Sequence, residues 1–340
     1  MKKKRKVSDW FITLLREHPV LSAVLSSIAY AIYTINDTNV MVNHIAENTF
    51  LIKISTYLLI GSWGGLILQY VMFTLLGRFM DERYHGLKIR YAISKPVIIA
   101  GICGAIVTAI LLYGYNEGKT IVTSFFSSLT VITLLIFDRR NTHKNGYIFP
   151  AILALAGSLM MVYLPGEKMS FDPIVIPLIV MLILSTIDKL RKTEPKSIEM
   201  GPCNFQFWRF LWLSIGATII VIVSSVWLGF YDSLIQSIKF SVLNINNLTF
   251  ILLTFVFVAI SGVLDIGASQ MINVSTVAVV TTLNGVFTFI LTILGHFVSE
   301  STYEIPNTQA EWAYTILGAV LIALAVARAT YIKGKNRVSG

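Results

Sequence analysis

The sequence predicts an all-α polytopic membrane protein with ten transmembrane helices in two inverted five-helix repeats, and three observations predict it. Charged residues make up 13% of the chain and hydrophobic residues 55%, with a mean hydropathy of +0.72, whereas soluble domains carry about a quarter charged residues. The apolar residues fall in runs close to the roughly 20 needed to cross a bilayer as helix. Lys and Arg crowd into alternate connections between those runs, as they do on the cytoplasmic side of membranes.

Taken in order, the runs are 20–41, 54–76, 93–113, 121–137, 147–164, 174–187, 207–230, 250–268, 274–298 and 312–331. The first carries Asn36 and Asp37. The sixth is the shortest, and it relies on tilt or on Lys189, Arg191 and Lys192 snorkelling to the interface. The stretch from Val20 lacks a small-residue cleavage site and runs into polar Thr34 to Asn39, so no removed leader is expected. With both termini cytoplasmic, 23 of the 27 basic residues fall inside; only Lys53, Lys119, Lys168 and Lys239 fall outside. The expected location is multi-pass, in the cell (plasma) membrane.

The chain opens MKKKRKV, which reads as a nuclear address in a soluble protein. Ahead of a membrane span, the same run fixes the orientation of that span and sits against anionic headgroups, each basic residue contributing on the order of 1 kcal/mol. The net charge of +9 has the same origin. No basic patch is interleaved with aromatics in the manner of nucleic-acid binders, so no nucleic-acid partner is expected.

Weak internal matches divide the runs into two sets. HPVL at His18 faces DPIV at Asp172, YTIND at Tyr33 faces STIDK at Ser185, LIKIS around Lys53 faces FWRFL around Arg209, and SSLTVIT at Ser127 faces TTLNGVF at Thr281. The offsets lie between 152 and 156. Five helices per copy invert the second copy, an arrangement that puts a solute site near the midplane, between the halves. The organisation expected is a basic cytoplasmic tail over 1–18, a first repeat over 19–164, a second over 165–331 and a basic tail over 332–340.

Several features together resemble the EamA-type drug/metabolite transporters. These are five plus five helices, a basic residue opening the second helix of each half (Lys53, Arg209), and the turns YGYNEGKT from Tyr113 and DIGASQMINVST from Asp265. A small-residue helix closes each half, PAILALAGSL from Pro150 and GAVLIALAVA from Gly318. Where that family often has a Gly-Glu pair, this chain reads Phe137-Asp138 and Gly295-His296. The resemblance implies transport of a metabolite or organic ion without fixing which.

Ionisable groups at membrane depth are costly and mark function. Asp265 leads, as a proton-coupling or cation-binding carboxylate or else as a helix-end acid that reaches water. Asp37 follows it. Asp188 reads as an end-of-helix residue paired with Arg191 or Lys192. Ser124, Ser127, Ser128 and Thr130, with Thr281, Thr282, Asn284 and Thr288, form polar faces that serve a solute or tight helix packing. Among these Asn284 stands out, because a mid-span amide needs partners. Tyr30, Tyr33, Trp63, Tyr113 and Tyr115 offer an aromatic wall, and Gly61 with Gly65 reads as packing. The substrate-binding or coupling set is therefore Asp265, Asn284, Thr281, Ser128, Tyr33, Asp37 and Trp63.

No metalloprotease, hydrolase or phosphate-loop motif is present, and the five histidines and two cysteines have no ligand spacing. An enzyme, a metal and a cofactor are not expected. Sequons lie at Asn36 and within NNLT from Asn246. The function expected is secondary transport of a small polar solute by alternating access, with proton coupling as its candidate drive. A non-transporting scaffold or a lipid-handling protein is the other reading. The partners expected are a small-molecule solute and membrane lipid, with room for a homodimer.

Overall fold

A computed structural model describes residues 10–45, 49–116, 130–137, 146–162, 175–243, 245–297, 305–306 and 308–338. All regular structure among them is helical. The basic run at 2–6 lies outside the described residues. Part of the expected 1–18 tail is a helix, α1 (Trp10–Glu17), whose Leu14 and Leu15 pack on Leu264.

Pro19 opens α2 (Pro19–Asn39), where its fixed φ suits a first helical position. The helix runs straight through Asn36 and Asp37 and ends in a π-helical turn, Val40–His44. There follow α3 (Phe50–Met80), α4 (Lys95–Asn116), α5 (Thr130–Phe137), α6 (Ile148–Val162), α7 (Val175–Lys192) and α8 (Pro195–Trp227). The chain continues with α9 (Tyr231–Leu243), α10 (Ile245–Met271), α11 (Val274–Thr281), α12 (Leu283–His296) and α13 (Gln309–Val338).

Seven segments are long and apolar enough to cross a membrane: Pro19–His44, Phe50–Met80, Lys95–Tyr113, Pro195–Trp227, Leu248–Met271, Val274–His296 and Gln309–Ile332. Ile148–Met161 is a shorter apolar helix. Seven of the ten expected spans correspond to these segments, while the expected fourth, fifth and sixth are not among them. The expected fourth span is described only from Thr130 to Phe137, and the expected sixth, α7, ends in Lys189, Arg191 and Lys192. The stretch between the seventh and eighth spans holds α9, which docks on α3 through a Thr56 to Ser237 hydroxyl bond of 2.9 Å.

Packing places α2 against α10 and α12, α4 against α7 and α8, α3 against α8 and α10, and α6 against α13. Without water between lipid-facing helices, close approach rests on small residues and buried hydroxyls. Gly157 and Gly318 face each other at the α6–α13 crossing, where a Cβ on either would stand 2.5 or 2.4 Å from the other's carbonyl oxygen. Ser22 and Ser26 of α2 donate to the Leu264 and Ser261 carbonyls of α10 at 3.1 and 2.9 Å. Gly64 and Gly65 make room for the Phe255 and Phe210 rings, the packing role expected of that glycine-rich stretch.

Two helices are broken. In α8, Gly201 has φ 74° and Pro202 restarts the helix. The Asp81 carboxylate accepts from the Cys203 N–H at 3.4 Å and so caps the restarted segment. Burial pushes the Asp81 carboxyl above its ordinary value, although Arg83 opposes this. The expected ninth span divides into α11 and α12 at Thr282. There the Thr281 and Thr282 hydroxyls donate back to the Ala278 and Val279 carbonyls, and the backbone tightens to three-residue bonds. Hydroxyls that compete for a helix's own carbonyls favour such breaks.

Candidate functional site

The α11–α12 break and the inner faces of α2, α3, α4, α7, α8 and α10 enclose a cavity of about 260 Å³. At one end lie Asp188, Lys189, Lys192, Arg209 and Asp265, and at the other Asp37 and Tyr57. The ends are well separated. Thr254, which binds Asn36 beside Asp37, and Asp265 stand eleven residues apart on α10, about 16 Å along a helix.

The last turn of α7 builds the charged end. Asp188 and Lys192 are four residues apart and share a face, 3.1 Å from each other. Asp188 also accepts from Arg209 of α8, from Nε at 2.7 Å and from Nη2 at 3.1 Å. Lys192 reaches across to Asp265 of α10 at 2.7 Å. The side chains of these four groups are only 9–17% exposed, so each charge depends on its partners. Gly104 on α4 leaves the space the guanidinium needs, since a Cβ there would stand 3.3 Å from Arg209 Nη2.

Lys189 differs from its neighbours. Its Nζ donates to the Thr130 and Thr281 hydroxyls at 3.0 and 3.2 Å, and among the described residues it forms no ion pair. Two carboxylates therefore face three cations at this end. At the far end the Tyr57 hydroxyl donates to Asp37 Oδ1. Between the ends stand Tyr30 and Tyr33, their rings edge to face at 4.8 Å.

The structure brings Asp265, Asn284, Thr281, Tyr33 and Asp37 to this one cavity. Asn284 Oδ1 is buried there without a hydrogen-bond partner among the described residues, as is Oε1 of Gln206. Trp63 is not among them. It is 41% exposed, and its Nε1 donates to Thr218 at 2.8 Å. Tyr113 packs edge-on against Phe50 instead. Ser124, Ser127 and Ser128, and the side chain of Tyr115, lie outside the described residues.

Several expectations are corrected. Lys189 and Lys192 do not snorkel outward; they turn into the cavity, where carboxylates and hydroxyls receive them. Asp188 keeps the local Lys192 partner but takes Arg209 as a second one, while Arg191 pairs with Glu194. Arg209 also lines the cavity. Asp265 has a basic partner, contributed from 73 residues away in sequence. Cys203 is buried within α8. The Asn36 sequon is occupied structurally, because Asn36 Nδ2 donates to Phe250 O and Thr254 Oγ1, both at 2.6 Å. Among the described residues no group of three or more His, Cys, Asp or Glu is placed to hold a metal. No protein-family description and no curated protein matches the chain.

Proposed function

We propose that this protein is a secondary transporter that moves a small polar metabolite or organic ion across a membrane by alternating access. The carrying observation is the charged cavity itself: ion pairs from α7, α8 and α10 at one end of a chamber inside an apolar helical bundle. Such groups are costly to hold at membrane depth and mark solute and ion pathways.

The helix contacts support an inverted-repeat, EamA-type reading with ten spans. Exchanging α2, α3, α4, α5 and α6 for α7, α8, α10, α11–α12 and α13 turns the α2–α10 contact into α7–α4. It likewise turns α3–α10 into α8–α4 and α2–α12 into α7–α5, and all of these pairs are in contact. The α3–α8 and α6–α13 contacts map onto themselves. Transporter sites lie at such repeat interfaces.

The mechanism follows from what joins the helices at each end. Opening the charged end separates Asp188 from Arg209 or Lys192 from Asp265, which is affordable only when a solute or a proton replaces the lost partner. Protonation of Asp265 would remove its hold on Lys192 and provides the coupling step. At the far end the Asp37–Tyr57 bond joins α2 to α3. The test is gradient-driven uptake into liposomes holding the purified protein, with solutes chosen by a thermal-shift screen, since a ligand of the folded state raises apparent stability. A binder that the folded protein never carries across the bilayer would overturn the reading.

A further inference from the structure

The charged end of the cavity does not balance. Asp188 and Asp265 supply two negative charges, while Lys189, Lys192 and Arg209 supply three positive ones. Geometry assigns the surplus to one residue. Asp188 is shared by Arg209 and Lys192, and Asp265 is held by Lys192. Among the described residues the hydrogen-bond partners of Lys189 are the hydroxyls of Thr130 and Thr281. An ammonium has three donors, so one is left over among the described residues. The two carboxylate neighbours of Lys189 are already held by Arg209 and Lys192, so this end keeps one positive charge more than it has negative ones, and an anion restores neutrality.

Resting on the transporter reading of this cavity, we infer that its solute carries a singly charged anionic group, a carboxylate or phosphodiester, and that Lys189 with Thr281 receives that group. One charge is specified because the surplus is one. A second negative charge toward the far end would meet Asp37, which has no ion-pair partner among the described residues. The remaining length of the solute lies along Tyr30 and Tyr33. Asn284, one helical turn from Thr281, presents to this region a buried Oδ1 without a partner among the described residues and selects solutes with a donor near the anionic group.

The experiment uses purified full-length protein and matched probes: pyruvate against methyl pyruvate, lactate against lactamide, and dimethyl phosphate against trimethyl phosphate. Thermal shift and calorimetry are expected to detect at least one anionic member and none of the matched neutral ones. Lys189→Gln weakens that binding by about tenfold or more, the usual loss for a hydrogen bond to a charged group, and Lys189→Arg restores part of it. Near-native melting of both variants without ligand separates lost binding from lost folding. A bound probe that is neutral, or equal affinity in Lys189→Gln, overturns the inference.

Phosphatidylglycerol vesicles form a separate arm. Stabilisation by these vesicles alone, with no response to any soluble anion, identifies a lipid headgroup at Lys189 and overturns the solute assignment. The two readings fail separately. Lys189-dependent anion binding without uptake into liposomes sinks transport and leaves the anion site standing. Uptake of a cation that ignores Lys189→Gln does the reverse.

Discussion

Arg209 grips Asp188 with two parallel hydrogen bonds, Nε to Oδ1 at 2.7 Å and Nη2 to Oδ2 at 3.1 Å, tying α8 to the last turn of α7 at the cavity wall. A forked guanidinium–carboxylate pair fixes orientation as well as charge. Because Asp188 also holds Lys192, and Lys192 holds Asp265, two carboxylates and two cations link three helices.

Breaking that pair from one side leaves a buried charge with too few partners. Arg209→Met is expected to cost about 3–5 kcal/mol, read by thermal unfolding. The double variant Arg209→Met with Asp188→Leu recovers a large part of the loss, since both charges leave together. A single-variant cost under about 1 kcal/mol would place the pair in the class of weak surface bridges.

Asp265→Asn keeps the size of the side chain and leaves Lys192 its second partner, Asp188. The variant is expected to insert and melt almost as the parent does. Its uptake should no longer respond to an imposed proton gradient, measured in liposomes with and without an acid-loaded exterior. An unchanged response would remove Asp265 from the coupling step.

Gly201 combines a φ of 74° with a Cβ position 2.3 Å from Asp81 Oδ2. Gly201→Ala should therefore destabilise the protein by about 1–3 kcal/mol. In an Asp81→Ala background the clash is gone and only the backbone strain persists. A residual cost there, compared by unfolding midpoints, separates the two contributions.

Asp81 also predicts a pH dependence. Its carboxyl is raised above the ordinary 3.8 by burial, so the folded state favours the protonated form. The stabilisation this group contributes is complete below pH 3.8 and is lost as pH rises through the higher folded value. Asp81→Asn should flatten stability against pH across that window, and a slope equal to the parent's would exclude Asp81 as its source.

Sidedness is accessible to labelling. Ser197 is buried, its hydroxyl on the Arg191 carbonyl, whereas its neighbour Lys196 is exposed, as is Asp232 at the start of α9. With the N-terminus inside, Asp232→Cys should react with an impermeant thiol reagent on intact cells and Lys196→Cys only after permeabilisation. The two native cysteines are buried and free. The opposite pattern would invert the topology.

Composition and local pattern by themselves determined that this chain is an apolar helical membrane protein, because hydropathy is a property of each segment alone. They also picked out Asp265, Asn284, Thr281, Tyr33 and Asp37, since a polar group inside an apolar run stands out wherever the run ends up. What they left open is which way a helix end faces. Lys189 and Lys192 look like interfacial anchors in sequence, and only the positions of Thr130, Thr281 and Asp265 on other helices, together with Asp188 on their own, make the interior a better environment for them than the membrane surface. Trp63 shows the converse: its segment reads as a span, but rotation about the helix axis, set by Phe210 and Phe255 packing on Gly65 and Gly64, turns it outward to Thr218. The tertiary structure decided these cases because the free energy of a buried charge depends on partners that arrive from distant parts of the chain.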